Sequence, residues 1–139
     1  METLQDRLAE VDAEFDLAGE WNDRYRLLVQ WGTDLAPLPE AERTPDCFVS
    51  GCSSPLWLKV ERGDQCRVRG FSPGYLPQAL VALLVRLYDG LSPEGLGEVV
   101  DISTRLDLGR HLTPTRDLTF RRLCARVDQT LRLEAGAPV

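Results

Sequence analysis

The sequence predicts an α+β domain: a small antiparallel three-stranded sheet packed against N-terminal and C-terminal helices. Three observations predict it. Apolar residues recur at helical spacing near both ends of the chain. Alternation with period two is confined to the middle. Gly and Pro fall at the junctions. The 139 residues suit a single domain, 1–139, with its core over about 4–132.

The elements follow in order. Leu4, Leu8, Val11 and Phe15 mark one face of a first helix, with charges between them. Gly19 separates it from a second helix over about Glu20 to Leu35. Trp21, Tyr25, Leu28 and Leu35 share a face there, widened by Leu27 and Trp31. The Pro-rich stretch Ala36-Pro37-Leu38-Pro39 ends it. Three short strands are expected over Cys47 to Ser50, Leu56 to Arg62 and Gln65 to Phe71. Leu56, Leu58 and Val60 alternate with Trp57, Lys59 and Glu61, as in a sheet with one buried face. A hairpin at Gly63-Asp64 puts Val60 on the face of Cys66 and Val68 only if the connection has an odd length, so three residues or a bulge are expected. Tyr75 to Asp89 is apolar nearly all round and reads as a buried helix, with Pro77 in its first turn and Gly90 at its C-terminal cap. Ser92-Pro93-Glu94 opens a short helix with Ser92 as N-cap. A short irregular or helical connection spans Asp101 to His111. The last helix runs from Thr113-Pro114 to about Arg132, marked by Leu118, Leu123, Val127 and Leu131. Glu134 to Val139 reads as a frayed tail.

The bulk numbers narrow the function. Hydrophobic residues make up 43% and charged residues 27%, an ordinary globular composition. The formal net charge of −6 and the absence of a basic run argue against nucleic acid or an anionic membrane as partner. The longest apolar run, Leu80 to Leu87, is interrupted by Arg86 and is too short to span a bilayer. The start, Met1-Glu2-Thr3-Leu4-Gln5-Asp6, has neither the basic nor the apolar part of a signal peptide, so a cytoplasmic protein is expected. The four cysteines, Cys47, Cys52, Cys66 and Cys124, are then expected as thiols. Their spacing matches no zinc pattern, and nucleotide-loop, zincin and serine-hydrolase motifs are absent.

One stretch carries chemistry. In Val49-Ser50-Gly51-Cys52-Ser53-Ser54-Pro55-Leu56-Trp57 a cysteine stands among Gly and Ser just ahead of a strand. A thiol on a Gly-hinged turn with a rigid base is presented, whereas the usual fate of a cysteine is burial in a core. Cys47 stands five residues earlier, either as a resolving thiol or as a plain strand residue; Cys66 and Cys124 read as core. His111, the single histidine, has the chemistry of a base but nothing in the sequence brings it to Cys52. Arg116 lies in a first helical turn, where a cation opposes the helix dipole; it is held by a partner there or is simply solvated.

These residues together resemble the SufE/CsdE family, the sulfur acceptors of cysteine desulfurases in iron–sulfur cluster assembly. The resemblance covers about Trp21 to Val127. It rests on four blocks: the Trp21 to Leu35 helix with its Pro-rich loop; Gly51-Cys52-x-Ser54-x-Leu56-Trp57; Gly70-x-Ser72 with the long apolar helix to Leu87-Tyr88-Asp89-Gly90-Leu91-Ser92-Pro93; and His111-Leu112-Thr113-Pro114-x-Arg116. The resemblance implies a SufE-like fold in which Cys52 accepts a persulfide sulfur, tucks into an apolar cavity at rest and swings out on docking. Gly51, Ser54, His111 and Arg116 would serve the loop and docking. It implies a cysteine desulfurase as partner and an iron–sulfur scaffold or other acceptor as recipient. Pyridoxal phosphate would belong to the desulfurase, and no cofactor or metal to this chain. A monomer with little turnover alone is expected. Four positions depart from the family pattern: Pro73-Gly74 replace Asp-Ala, Pro77 replaces an aliphatic residue, and Cys47 stands where Asn is common. Because the replaced Asp lies near the cysteine loop in the family fold, the resemblance implies that loop stability or partner choice differs here. Two other functions remain open on the sequence. One is a thiol-disulfide redox sensor using Cys47 and Cys52; the other is a non-catalytic interaction module in which Cys52 is structural.

Overall fold

The computed structural model describes residues 1–132; the expected tail, 134–139, lies outside the described residues. The helices are α1 (Leu4–Ala18), α2 (Trp21–Asp34), α3 (Tyr75–Tyr88), α4 (Ile102–Arg105) and α5 (Pro114–Leu131), with strands β1 (Trp57–Glu61) and β2 (Arg67–Phe71) between α2 and α3. The α+β class and the order of elements match the expectation; the three-stranded sheet does not, since only β1 and β2 form a ladder among the described residues.

The missing strand has a local cause. Pro45 starts a 3₁₀ turn, Pro45–Cys47, where Cys47 was expected to begin a strand. Beyond it the chain makes one bridge, Phe48 to Trp57, and one hydrogen bond, from the Val49 amide to the Leu56 carbonyl at 2.8 Å. Ser50 and Gly51 then turn away.

α3 is the axis of the core. Nine of its residues are buried, from Leu76 to Tyr88, as its continuous apolar sequence requires. Gly74 is its N-cap, and Gly90, at φ +86°, lies just past its C-terminal end. α1 places Leu4, Leu8, Val11 and Phe15 into the same core. α2 approaches α3 more closely than its apolar pattern indicates: a Cβ at Gly32 would stand 2.8 Å from the Ala79 amide nitrogen. The buried positions of α2 are therefore Leu28 and Gly32, while Tyr25, expected inside, is exposed. On α5 the expected Leu118 is likewise exposed, and Phe120 is fully buried in its place.

β1 and β2 pair antiparallel with Leu58 opposite Gly70 and Val60 opposite Val68 on the inner face. The connection is odd in length, as expected, but spans five residues, 62–66. Cys66 does not extend the ladder. Its amide donates to the Leu91 carbonyl (2.6 Å) and its carbonyl accepts from Gly90 (2.7 Å). Nearby, the Val68 amide donates to Asp89 Oδ1 (2.9 Å), and the Ser72 amide, just past β2, donates to Gln78 Oε1 (2.8 Å). On the outer face Glu42 receives hydrogen bonds from Lys59 and Arg69. Trp57 lies there between Phe48 and Phe71.

Candidate functional site

Residues 50–55 form a loop pinched at its base by the Val49–Leu56 hydrogen bond and the Phe48–Trp57 bridge. Cys52 lies within it, next to Gly51 at φ +86°. That backbone angle is one an L side chain rarely adopts, so glycine at 51 makes the turn possible.

Cys52 is half-buried against the core. It borders a cavity of about 20 Å³, walled by Leu56, by Leu76, Pro77 and Leu80 at the start of α3, and by Arg116 and Leu123 of α5. Such a space holds about one small atom or a water. Its walls are mostly apolar, and Thr115 and Thr119 add hydroxyls. Pro77, a departure at the level of sequence, forms part of this wall.

Several bonds fix the loop. The buried Ser72 hydroxyl donates to the Pro55 carbonyl at 2.7 Å and accepts from the Gly74 amide at 3.3 Å. Ser54 packs on Gly74, where a Cβ would fall 2.6 Å from the Ser54 hydroxyl oxygen. A side chain at 74 would force Ser54 to shift, so the glycine lets the cysteine loop pack closely on the start of α3. From the other side Arg126 of α5 donates to the carbonyls of Asp46 and Phe48.

Burial pushes the Cys52 thiol above its ordinary range, and the positive charge of Arg122 works against that shift. Burial at rest therefore disfavours the thiolate, the nucleophilic form. Cys66 and Cys124 are also pushed up by burial, and both are buried core residues, as expected. Cys47 is buried as well. It accepts a hydrogen bond from the Thr44 hydroxyl at 3.5 Å and does not line the Cys52 cavity. All four thiols are free.

The other expected site residues divide. Gly51, Ser54 and Arg116 gather around Cys52. His111 does not line the cavity. It stacks on Trp21 at 4.0 Å between ring centroids, with Nε2 3.8 Å from the Asp107 carboxylate, and so joins the start of α2 to the loop before α5. Ser72, Arg122 and Arg126 are site residues that sequence reasoning missed. Only Ser72 carries a signal there, as the second named position of the Gly70-x-Ser72 block. Among the described residues no group of three or more His, Cys, Asp or Glu converges to hold a metal, and no helix is long and apolar enough to cross a membrane.

The family model described as "SufE: Fe-S metabolism associated domain" matches residues 9–131, nearly the whole chain and the whole of this site. The chain belongs to the SufE family. A solution structure of a hypothetical protein from Thermus thermophilus is similar in fold. It is 21% identical, with a TM-score of 0.67 over 88% of this chain and 93% of that one. Membership of SufE ties the chain to iron–sulfur metabolism.

Proposed function

We propose that this SufE-family protein is a sulfur carrier that accepts sulfane sulfur on Cys52 from a cysteine desulfurase and passes it on for iron–sulfur cluster assembly, stimulating the desulfurase as it does so. The observation that carries the reading is the placement of Cys52: one thiol in a pinched loop over a one-atom, mainly apolar space.

The step balances without an outside oxidant. The Cys52 thiolate attacks the outer sulfur of a persulfide on the desulfurase. A new S–S bond forms at Cys52, the donor's S–S bond breaks, and the donor cysteine leaves as thiolate. Pyridoxal phosphate serves the desulfurase, which makes the persulfide; this chain needs only its thiol. The cavity has room for the added sulfur, where apolar walls shield it from stray thiols and oxidants. Because burial disfavours the thiolate, the loop has to move outward before attack, about the Gly51 hinge. Arg116 lines the cavity and is exposed, which supports assigning it to the docking partner. The redox-sensor alternative finds no support in the placement of Cys47, which is buried outside the cavity.

The test is intact-mass spectrometry after incubation with a cysteine desulfurase, pyridoxal phosphate and L-cysteine. Wild type is expected to gain at least one reductant-labile sulfur, and Cys52→Ser none. Equal gain in both, or none in wild type with a desulfurase of verified activity, overturns the proposal.

A further inference from the structure

Eleven of the sixteen Lys and Arg side chains have an acidic partner among the described residues. Among the described residues only Arg43, Arg62, Arg116, Arg122 and Arg126 lack a carboxylate within ion-pair distance. Three of these five lie on α5 along the Cys52 loop. Arg126 is held by the Asp46 and Phe48 carbonyls, and Arg116 borders the cavity. Arg122 has neither an ion pair nor a hydrogen bond among the described residues, yet its position is specific. A Cβ built on Gly51 would stand 3.0 Å from its Nη1, so the guanidinium lies directly against the backbone beside Cys52.

The helix explains the placement. Thr119, Arg122 and Arg126 follow one another at spacings of three and four, a continuous ridge on α5. Thr119 lines the cavity, Arg126 grips the chain at Phe48, and Arg122 between them meets the loop at Gly51. The absence of a side chain at 51 lets the guanidinium come this close.

We infer that Arg122 is a positioning residue for Cys52: its guanidinium closes over the Gly51 hinge and supplies the positive charge beside which the Cys52 thiolate forms. The inference rests on Cys52 being the reactive thiol of the carrier reading above. The surroundings leave that charge unopposed. Around the cavity α5 contributes the cation Arg116, α3 contributes Leu76, Pro77 and Leu80, and the start of the hairpin contributes Leu56, with Arg122 outside it against Gly51; no carboxylate lines the cavity among the described residues. The charge of Arg122 already counters the effect of burial on the thiol at rest. An unpaired guanidinium is also free of the cost of breaking an ion pair when the loop moves.

The test needs no desulfurase, so its failure is distinct from failure of the carrier reading. Alkylation of Cys52 by iodoacetamide, an uncharged reagent, is followed by peptide mass spectrometry across pH in wild type, Arg122→Gln and Arg122→Lys. Near neutral pH the Gln variant is expected to react about threefold more slowly, because less of its thiol is ionised. The difference closes at alkaline pH, where both thiols are ionised, and Lys restores most of the wild-type profile. A second readout needs no variant: raising the salt to about 0.5 M screens an exposed guanidinium and slows wild type toward the Gln variant near neutral pH. Superimposed profiles, a deficit of the same factor at every pH, or a wild-type rate indifferent to salt would each overturn the inference.

Discussion

The Ser72 hydroxyl donates a hydrogen bond of 2.7 Å to the carbonyl of Pro55, joining the turn before α3 to the end of the Cys52 loop. Ser72 is one of two buried polar side chains in the described core, and its oxygen also accepts from the Gly74 amide. Ser72→Ala leaves the Pro55 carbonyl without that donor and is expected to cost about 1–3 kcal/mol in urea unfolding. It is also expected to speed alkylation of Cys52 in the folded protein, because the loop loses a tether. Unchanged stability together with unchanged alkylation would show that the bond does not restrain the loop.

At Gly51 the constraint is backbone rather than side chain. With φ at +86°, an alanine there meets strain of roughly 1–2 kcal/mol as well as the Arg122 guanidinium. Gly51→Ala should therefore lower the urea midpoint while leaving the unfolding slope intact. An unaltered midpoint would mean that the loop takes another conformation in solution.

Gly32 sets the distance between α2 and α3. Since a Cβ would sit 2.8 Å from the Ala79 amide nitrogen, relief requires moving backbone, not a flexible side chain. Gly32→Ala is expected to cost about 1–3 kcal/mol, the range for overpacking. Thermal unfolding gives the readout, and a melting temperature equal to that of wild type would contradict so close a contact.

Arg121 joins Asp101 to Asp117 across α4 and α5. Its hydrogen bonds hold the Asp101 carboxyl below the usual range. Burial pushes Asp117 up, but the Ser103 hydroxyl and Arg121 outweigh it, so this carboxyl too is lowered. Groups depressed on folding stabilise the protein above the unfolded carboxylate pKa and lose that contribution as pH falls through the folded one. Arg121→Gln should thus be most damaging near neutrality, with the gap to wild type narrowing below roughly pH 4. Urea midpoints across that range decide it; a gap constant with pH would place the role of Arg121 in packing alone.

Most of this architecture is legible in the sequence because periodicity reports it. The α1 face of Leu4, Leu8, Val11 and Phe15, the all-round apolar α3 and the Gly-Cys-Ser-Ser turn lie in the structure where the pattern puts them. What escapes the pattern has a physical reason in each case. The first strand is cut to a single bridge between the 3₁₀ turn that Pro45 opens and the turn at Ser50-Gly51. The buried face of α2 centres on Gly32, which hydropathy does not register, so the pattern points to Tyr25 instead. Arg122 is invisible because a guanidinium resting on a glycine from a distant segment leaves no spacing to read.

The Asp89 and Gln78 side chains bear on the sheet in a further way. They take the amides of Val68 and Ser72 on the side of β2 that faces away from β1, while Phe48 and Val49 cover the start of β1. A two-stranded ribbon ordinarily offers two adhesive edges to any extended peptide or to another copy of itself. Here α3 and the segment after its C-terminus occupy one edge, and the approach to the cysteine loop occupies part of the other. Templated growth is thereby blocked at the β2 edge, and only the part of β1 beyond Trp57 is left for an added strand.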